Sequence, residues 1–234
     1  MVRPTEKTYD ELQDAYDFFN RELFGGQLPD CIITLQREKR TMGYFSPNRF
    51  VSQHGLTQDE IALNPIYFDL TDITETMQTI AHEMAHQWQQ HYGQRKSRHG
   101  YHNKEWAAKM IEIGLMPTDT GKPGGKTTGF KISDYPIERG AFLESVRKLK
   151  KEKFAISWRD RFSLVQQTME EGAQPITVVT DTLTGEEVTH PRSKTKYVHQ
   201  CVDEQTGEIT DQNVWGKPGL NLVCGDCGRG FEQT

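Results

Sequence analysis

The sequence has few cysteines and no long apolar segment. Of the 234 residues, 4 are cysteine, and no run approaches the roughly 18 apolar residues that a membrane-spanning helix needs. The N-terminal segment carries charged side chains where a secretory signal would be apolar. A disulfide-stabilised secreted domain is therefore not expected. We expect a cytoplasmic protein without a membrane partner.

The chain also lacks a uniform charge. Its net charge is −5, but residues 91–162 carry 16 basic and 8 acidic side chains, a local net charge of +8. Such a segment either solvates helical surfaces or binds phosphates. We predict DNA binding there, which would make the protein nucleoid-associated. The candidate contacts are Lys148, Lys150, Lys151, Arg159 and Arg161.

Helical periodicity and capping residues predict three main helices. Thr8 and Glu11 have the spacing of a capping box, so a first helix is expected from there to Gly25. A second helix is predicted from Asp72 to about His91, and a third from about Asn103 to Ile113.

Short β-prone runs lie between the first two helices. They cover residues 31–35, 42–45 and 60–63 and predict a small antiparallel sheet. Residues 144–153 read as a charged helical stretch, and Pro175 to Val188 as a polar hairpin. The fold class is therefore α+β. The predicted domains are 1–143, a linker region 144–190 and a C-terminal module 191–234.

The second predicted helix contains His82-Glu83-Met84-Ala85-His86, an HExxH motif. Residues four apart share one face of a helix, so the two imidazoles can bind one metal ion. Zinc suits imidazole ligands, and a catalytic zinc site uses three protein ligands and one water. Candidates for the third ligand follow in sequence: His91, His99, His102 and Glu105.

Longer motifs extend this pattern. HEMAHQWQ and SRHGYHNKEWAAKMIEIGLMP, together with FNRELFGGQLP and IALNP upstream, resemble the SprT-like metallopeptidases, the family that includes the Spartan protease. The resemblance covers roughly residues 8–143 and implies a zincin-like catalytic domain. It favours His102 as the third ligand, because the family takes it from an H-x-x-E-aromatic segment. Glu105 would then cap the third helix or complement its dipole.

The ligands predict a peptidase mechanism. Bound zinc lowers the pKa of a water molecule toward neutrality, and Glu83 would serve as the general base that takes the proton of that water. Tyr92 and Tyr101 are candidates for stabilising the oxyanion, from their sequence position alone. By analogy with zincins, the strand at residues 60–63 would offer its edge to an extended substrate.

The C-terminal cysteines predict a second zinc ion. Cys224 and Cys227 form a CxxC knuckle, and family members often carry an appended zinc ribbon. The other half has only His199 and Cys201 where a second CxxC is expected. Either these four residues form a Cys₃His site, or the ribbon is held by packing around Trp215 and Phe231 without a complete ligand set.

Two functions from different classes are compatible with these patterns. The first is a zinc-dependent endopeptidase that acts on proteins bound or crosslinked to DNA. The alternative is a non-proteolytic nucleic-acid or protein-binding adaptor that retains the same fold. The intact Glu83 favours the enzyme, because metal binding alone does not need this carboxylate.

Overall fold

The computed structural model describes residues 2–38, 41–68, 72–98, 100–167, 176–188, 195–202 and 206–233. The chain divides into two compact units, Met1–Gly185 and Glu186–Thr234. The division at residues 143 and 190 expected from the sequence stays a prediction. Helices and small sheets occur together, so the α+β class is confirmed.

The described part of the first unit contains four α-helices. They are α1 (Pro4–Phe24), α2 (Thr74–Tyr92), α3 (Lys104–Glu112) and α4 (Ala141–Lys151). Their apolar faces form one core with the sheet, which buries Phe19, Met84 and Phe142 completely. Because α4 contributes to this core, it packs as part of the same unit as the HExxH helix.

Helix α1 begins earlier than the capping box predicted. Pro4 occupies the first turn, where its fixed φ and missing N–H fit a helix start. Thr8 therefore lies inside the helix, and its hydroxyl donates to the Pro4 carbonyl oxygen over 2.9 Å. Glu11 accepts hydrogen bonds from Ser157 instead. The end of the helix at Gly25, in the left-handed region with φ 65°, is as predicted.

The main sheet contains β1 (Ile32–Leu35), β2 (Gly43–Val51) and β3 (Thr57–Leu63), in the order β1-β3-β2. β2 pairs with β3 antiparallel, but β1 pairs with β3 parallel, so the sheet is mixed rather than wholly antiparallel. The buried apolar segment Ile61-Ala62-Leu63 suits the central position of β3, where both edges are hydrogen-bonded.

Two further strand pairs complete the first unit. β4 (Leu115–Thr118) pairs antiparallel with β5 (Ser133–Pro136), directly after α3. β6 (Phe162–Gln167) pairs antiparallel with β7 (Ile176–Asp181). β7 lies in the segment predicted as a polar hairpin, whose first residue, Pro175, is outside the described residues.

The second unit contains β8 (Glu187–Val188), β9 (Thr195–Val202), β10 (Ile209–Gly216) and β11 (Glu232–Gln233). β9 is central between β10 and β11, and both pairs are antiparallel. Tyr197 is 1% exposed, and its hydroxyl donates to the Lys217 carbonyl oxygen over 2.6 Å. Trp215 is 64% exposed, so Tyr197 rather than Trp215 is the buried aromatic residue of this unit.

Candidate metal centres

Three histidines converge in the first unit. His82 and His86 lie one turn apart on α2, and His102 comes from the loop just before α3. One ring nitrogen of each lies within 4.8 Å of the other two. The Nε2 atoms of His86 and His102 are 3.2 Å apart. These distances would allow one small cation to contact all three rings.

The position of His102 is fixed by its backbone. His102 and Gly129 form an isolated β-bridge, in which each N–H donates to the carbonyl oxygen of the other over 2.8 and 3.0 Å. The Nδ1 atom of His102 also lies 3.1 Å from the Gly129 carbonyl oxygen. With Nδ1 directed at a carbonyl group, the Nε2 atom of His102 is the one that faces the other two rings.

Trp106 forms the floor of the histidine cluster. It is fully buried in α3, and its ring centroid lies 5.0 Å from those of His82 and His86 and 4.3 Å from that of His102. Asn103 caps the same helix by accepting a hydrogen bond from the Trp106 N–H over 3.0 Å. The cap thus orients the residue against which all three imidazoles pack.

The electrostatics of the cluster favour a bound cation. Burial and the neighbouring imidazoles hold the pKa of His86 well below its usual value, and the same two causes lower the pKa of His102 to about 4. Burial opposes protonation of His82 as well, but its hydrogen bond with Asp134 raises the pKa overall. Unprotonated rings are the form that binds zinc, so this donor set is consistent with zinc.

Glu83 is buried beside the cluster. Burial raises the pKa of its carboxyl group to about 7, although His82 and the backbone N–H of Phe45 lower it. β2 approaches α2 closely here, because Gly43 has no side chain. A Cβ on Gly43 would lie 2.9 Å from both the Ala62 carbonyl oxygen and the Thr79 Cγ2 atom. A pKa near neutrality suits a general base.

The other predicted third ligands lie elsewhere. Both carboxylate oxygens of Glu105 accept hydrogen bonds from backbone N–H groups, those of Gln94 and Arg95, over 2.8 Å. These hydrogen bonds lower its pKa and direct the side chain to the loop after α2, so the role predicted for it in capping α3 is wrong. His91 pairs with Asp59 over 2.6 Å. His99 is outside the described residues.

An open cleft of about 1660 Å³ exposes the histidine cluster. Tyr101 lines it, whereas the Tyr92 hydroxyl donates to the Gln27 carbonyl oxygen. Residues 41–45 at the start of β2 line it too. The strand prediction for residues 60–63 is therefore wrong in one respect, because β3 is paired on both sides and the edge strand at the cleft is β2.

Sequence reasoning missed a carboxylate at this centre. Asp134, on β5, lies 52 residues after His82 in the sequence and places its Oδ1 atom 2.7 Å from His82 Nδ1. No short motif connects the two positions. A preference of metal-ligating histidines for carboxylate partners is the general signal that could have prompted a search.

A second cluster lies in the second unit. His199 and Cys201 are two residues apart on β9, so their side chains lie on the same face of the strand. Cys224 and Cys227 flank a tight turn. The four ligand atoms lie within 4.8 Å of one another. His199 Nε2 is 3.0 Å from Cys227 Sγ, and the sulfurs of Cys201 and Cys224 are 3.8 Å apart. This set is also consistent with zinc.

The turn that carries Cys224 resembles a metal-binding knuckle in its hydrogen bonds. The Gly228 N–H donates to the Cys224 carbonyl oxygen over 2.9 Å, and the Cys224 N–H donates to the Arg229 carbonyl oxygen over 2.8 Å. Backbone N–H groups of Cys227 and Asp226 point to the Cys224 sulfur and lower its pKa. A lower pKa favours the thiolate, which is the metal-binding form.

The basic residues predicted to contact DNA divide into those away from the cleft and one that lines it. Lys148 pairs with Glu22 over 2.6 Å, Lys150 with Asp72 over 2.9 Å, and Arg161 with Asp181 over 2.6 Å, whereas Lys151 is exposed. Arg159 lies at the cleft of the histidine cluster. Four further basic side chains line that cleft: Lys96, Arg98, Lys122 and Lys131.

Comparison with known proteins identifies the class of the first unit. The SprT-like family matches residues 12–129, just over half of the chain. The chain therefore belongs to the SprT-like family, which confirms the resemblance seen in the sequence and indicates a metallopeptidase-like domain. Asp134 lies outside the matched range.

One curated protein is similar to part of the chain. An uncharacterized protein in the mucB 3' region of Salmonella typhimurium is 66% identical over 59 residues, which cover 25% of this chain and 80% of that protein. No solved structure matches. Within the described residues, we find no helix with the length and apolar character needed to cross a membrane.

Proposed function

We propose that the protein is a zinc-dependent endopeptidase whose active site is the cleft around His82, His86 and His102. The observation that carries this proposal is the convergence of three imidazoles in an open cleft, with a buried carboxyl group on Glu83, the residue after His82 in the same helix. Three protein ligands and access for water and substrate are typical of catalytic rather than structural zinc sites.

Each residue has a distinct role in this proposal. His82, His86 and His102 would hold the zinc ion, which supplies Lewis acidity and lowers the pKa of a water molecule. Glu83 takes a proton from the attacking water and returns it to the leaving amine.

The substrate backbone is proposed to pair with β2. This strand is at the edge of its sheet, and residues 43–45 line the cleft. An extended peptide can add to such an edge through main-chain hydrogen bonds, which gives affinity without requiring a particular sequence. We further propose that Tyr101, which also lines the cleft, is the better of the two oxyanion candidates.

The second cluster is proposed to hold a structural zinc ion. His199, Cys201, Cys224 and Cys227 would supply all four ligands that a structural zinc ion uses, which would leave no position for a substrate. The segment 191–234 would then be a zinc-ribbon-like module that follows, in the sequence, a catalytic domain at 1–143 and a linker at 144–190.

The proposed substrates are proteins bound or crosslinked to DNA. The support is the local charge of +8 in residues 91–162 within a chain of net charge −5. Five basic side chains of this segment line the cleft, so phosphates held there would bring an attached protein close to Glu83. Lys148, Lys150 and Lys151 are exposed and do not line the cleft, and they could also contact phosphates at low energetic cost, because exposed ion pairs are weak.

A metal-exchange experiment tests the enzyme against the adaptor. The full chain is stripped with a chelator, reloaded with zinc, and incubated with an unfolded protein in the presence and absence of single-stranded DNA. We expect cleavage only after reloading, and faster cleavage of a DNA-bound substrate. DNA binding without zinc-dependent cleavage under both conditions would support the non-proteolytic adaptor.

A further inference from the structure

We infer that Asp134 is a positioning residue of the histidine metal centre, which fixes the ring of His82 and increases the metal affinity of its Nε2 atom. This inference rests on the proposed zinc site. It concerns a residue beyond the range matched by the family. It is carried by two contacts to the Asp134 carboxylate and one to the Asp134 backbone carbonyl oxygen.

The first contact determines the tautomer of His82. Asp134 Oδ1 lies 2.7 Å from His82 Nδ1, and a carboxylate can only accept a hydrogen bond at this position. Nδ1 therefore carries the proton, and the lone pair is on Nε2. His102 shows the same arrangement, with Nδ1 at the Gly129 carbonyl oxygen and Nε2 toward the cluster.

The second contact holds the carboxylate itself. Gln78 lies one turn before His82 on α2, and its Nε2 atom is 2.8 Å from both Asp134 Oδ2 and the Asp134 carbonyl oxygen. Helix α2 thus contacts Asp134 through Gln78 and His82 together. Since Asp134 also lies in the β4–β5 ladder opposite Pro117, its position is determined by two elements.

Burial strengthens the electrostatic interaction between Asp134 and His82. Asp134 is 8% exposed, and the His82 side chain is 15% exposed, so solvent screens their interaction weakly. A carboxylate behind a ligating imidazole raises the basicity of the opposite nitrogen and restricts ring rotation. Loss of such a partner commonly weakens metal affinity by about 10- to 100-fold.

A purely structural link between β5 and α2 would have the same contacts but a different consequence. Asp134→Asn keeps a hydrogen-bonding group of the same size and removes the negative charge. If the link is only structural, the variant changes the melting temperature of the metal-free protein and leaves zinc affinity unchanged. If Asp134 positions His82, zinc affinity falls while the first unit of the metal-free protein stays folded.

The experiment titrates the full-length metal-free protein with Co²⁺ and then displaces it with Zn²⁺. The cysteine cluster gives sulfur-to-cobalt charge-transfer absorption, so the two sites are read separately in one sample. We expect Asp134→Asn to weaken metal binding at the histidine site by about 10- to 100-fold and to leave the cysteine site unchanged.

A matched control removes the same charge nearby. Glu75 is exposed on the same helix and lines the same cleft, so Glu75→Gln should change the affinity of the histidine site by no more than about twofold, because solvent and salt screen its charge. Equal affinity in wild type and Asp134→Asn would overturn the inference. Equal losses in Asp134→Asn and Glu75→Gln would also overturn it, because they would indicate a general charge effect.

Two further outcomes remain informative. If Asp134→Asn does not fold, Gln78→Met replaces it, because this variant removes both hydrogen bonds to Asp134 but keeps the carboxylate. It should weaken metal binding at the histidine site, and unchanged affinity would contradict the inference. If the wild-type histidine site binds neither metal, the proposed enzymatic function fails first.

Discussion

The two candidate metal-ligand clusters found among the described residues differ in scaffold, ligands and access. The histidine cluster lies between α2 and the loop before α3, has three ligands and opens into a cleft. The cysteine cluster lies on β9 and a tight turn, and supplies four ligands. The difference teaches that ligand number and access, rather than the metal, distinguish a reactive centre from a stabilising one.

The protein structure around each cluster also differs. The histidines lie against a core of helices and a buried Trp106, which can keep their geometry without metal. The second unit is a small β-module whose core includes Tyr197. Small domains of this kind commonly depend on bound metal for stability. We therefore expect metal removal to inactivate the first unit and to unfold the second.

The largest expected effect is the unfolding of the second unit when one of its four candidate metal-binding side chains is replaced. Cys224→Ser should release the structural zinc, whose binding in small modules is worth about 10 kcal/mol. Amide signals of residues 195–233 should collapse in an NMR spectrum, whereas cleavage of an unstructured peptide should be retained. A folded second unit without zinc would show that packing holds the ribbon.

The next largest effect separates chemistry from metal binding. Glu83→Gln should reduce cleavage of an unfolded protein by about 10²- to 10⁴-fold, because the general base is lost while the three histidines remain. Metal analysis should still find two zinc ions per chain. Glu75→Gln is the matched control and should keep nearly full activity. Loss of one zinc from Glu83→Gln would identify Glu83 as a ligand instead.

The third prediction compares the two candidates for the third ligand. His102→Ala should release the zinc of the histidine site, whereas Glu105→Ala should retain it. Glu105 accepts two backbone hydrogen bonds, so its removal should reduce the free energy of unfolding by about 1 kcal/mol. Zinc content and thermal unfolding measure the two effects. The assignment is contradicted if Glu105→Ala empties the site and His102→Ala does not.

A smaller effect is expected on DNA binding. Replacing Lys122, Lys131 and Arg159 with Gln should weaken binding to all single-stranded sequences, and should lower the salt dependence by about 0.7 per lost phosphate contact. The matched variant with Lys148, Lys150 and Lys151 replaced by Gln removes the same charge outside the cleft. If neither variant changes the salt dependence at constant zinc content, the basic segment does not bind DNA.

The smallest effect concerns the remaining cysteine. Cys31 packs in the core of the first unit, and burial raises the pKa of its thiol to about 12. It should therefore react very slowly with an alkylating reagent in the native protein. After chelation, the thiols of the cysteine cluster should react quickly and Cys31 should still be protected. Mass spectrometry of alkylated peptides measures both rates.

Local chemistry made much of this fold predictable. Amphipathic spacing and the Gly25 stop located α1, Asn103 marked the start of α3, and the four-residue spacing of His82 and His86 placed both imidazoles on one face. These features depend on residues close in sequence. The start of α1 was misplaced, because Pro4 is a suitable first residue and the Thr8 hydroxyl bonds to its carbonyl group.

Pairing between distant segments was not predictable in the same way. β-propensity located β1 and β3, but it carries no information on which strands pair or in which direction. Asp134 likewise lies far from His82 in sequence, and only the β4–β5 ladder brings it to α2. The missed features are therefore those that depend on long-range contacts.

The bridge between His102 and Gly129 links a candidate metal ligand to the loop between β4 and β5. Because two backbone hydrogen bonds join His102 to Gly129, we expect an opening of the loop at this point to release His102 as well. Any metal that binds only the closed form would raise the free energy of this opening in proportion to the logarithm of its concentration. Deuterium uptake at these two amides would then report metal occupancy in the absence of any substrate.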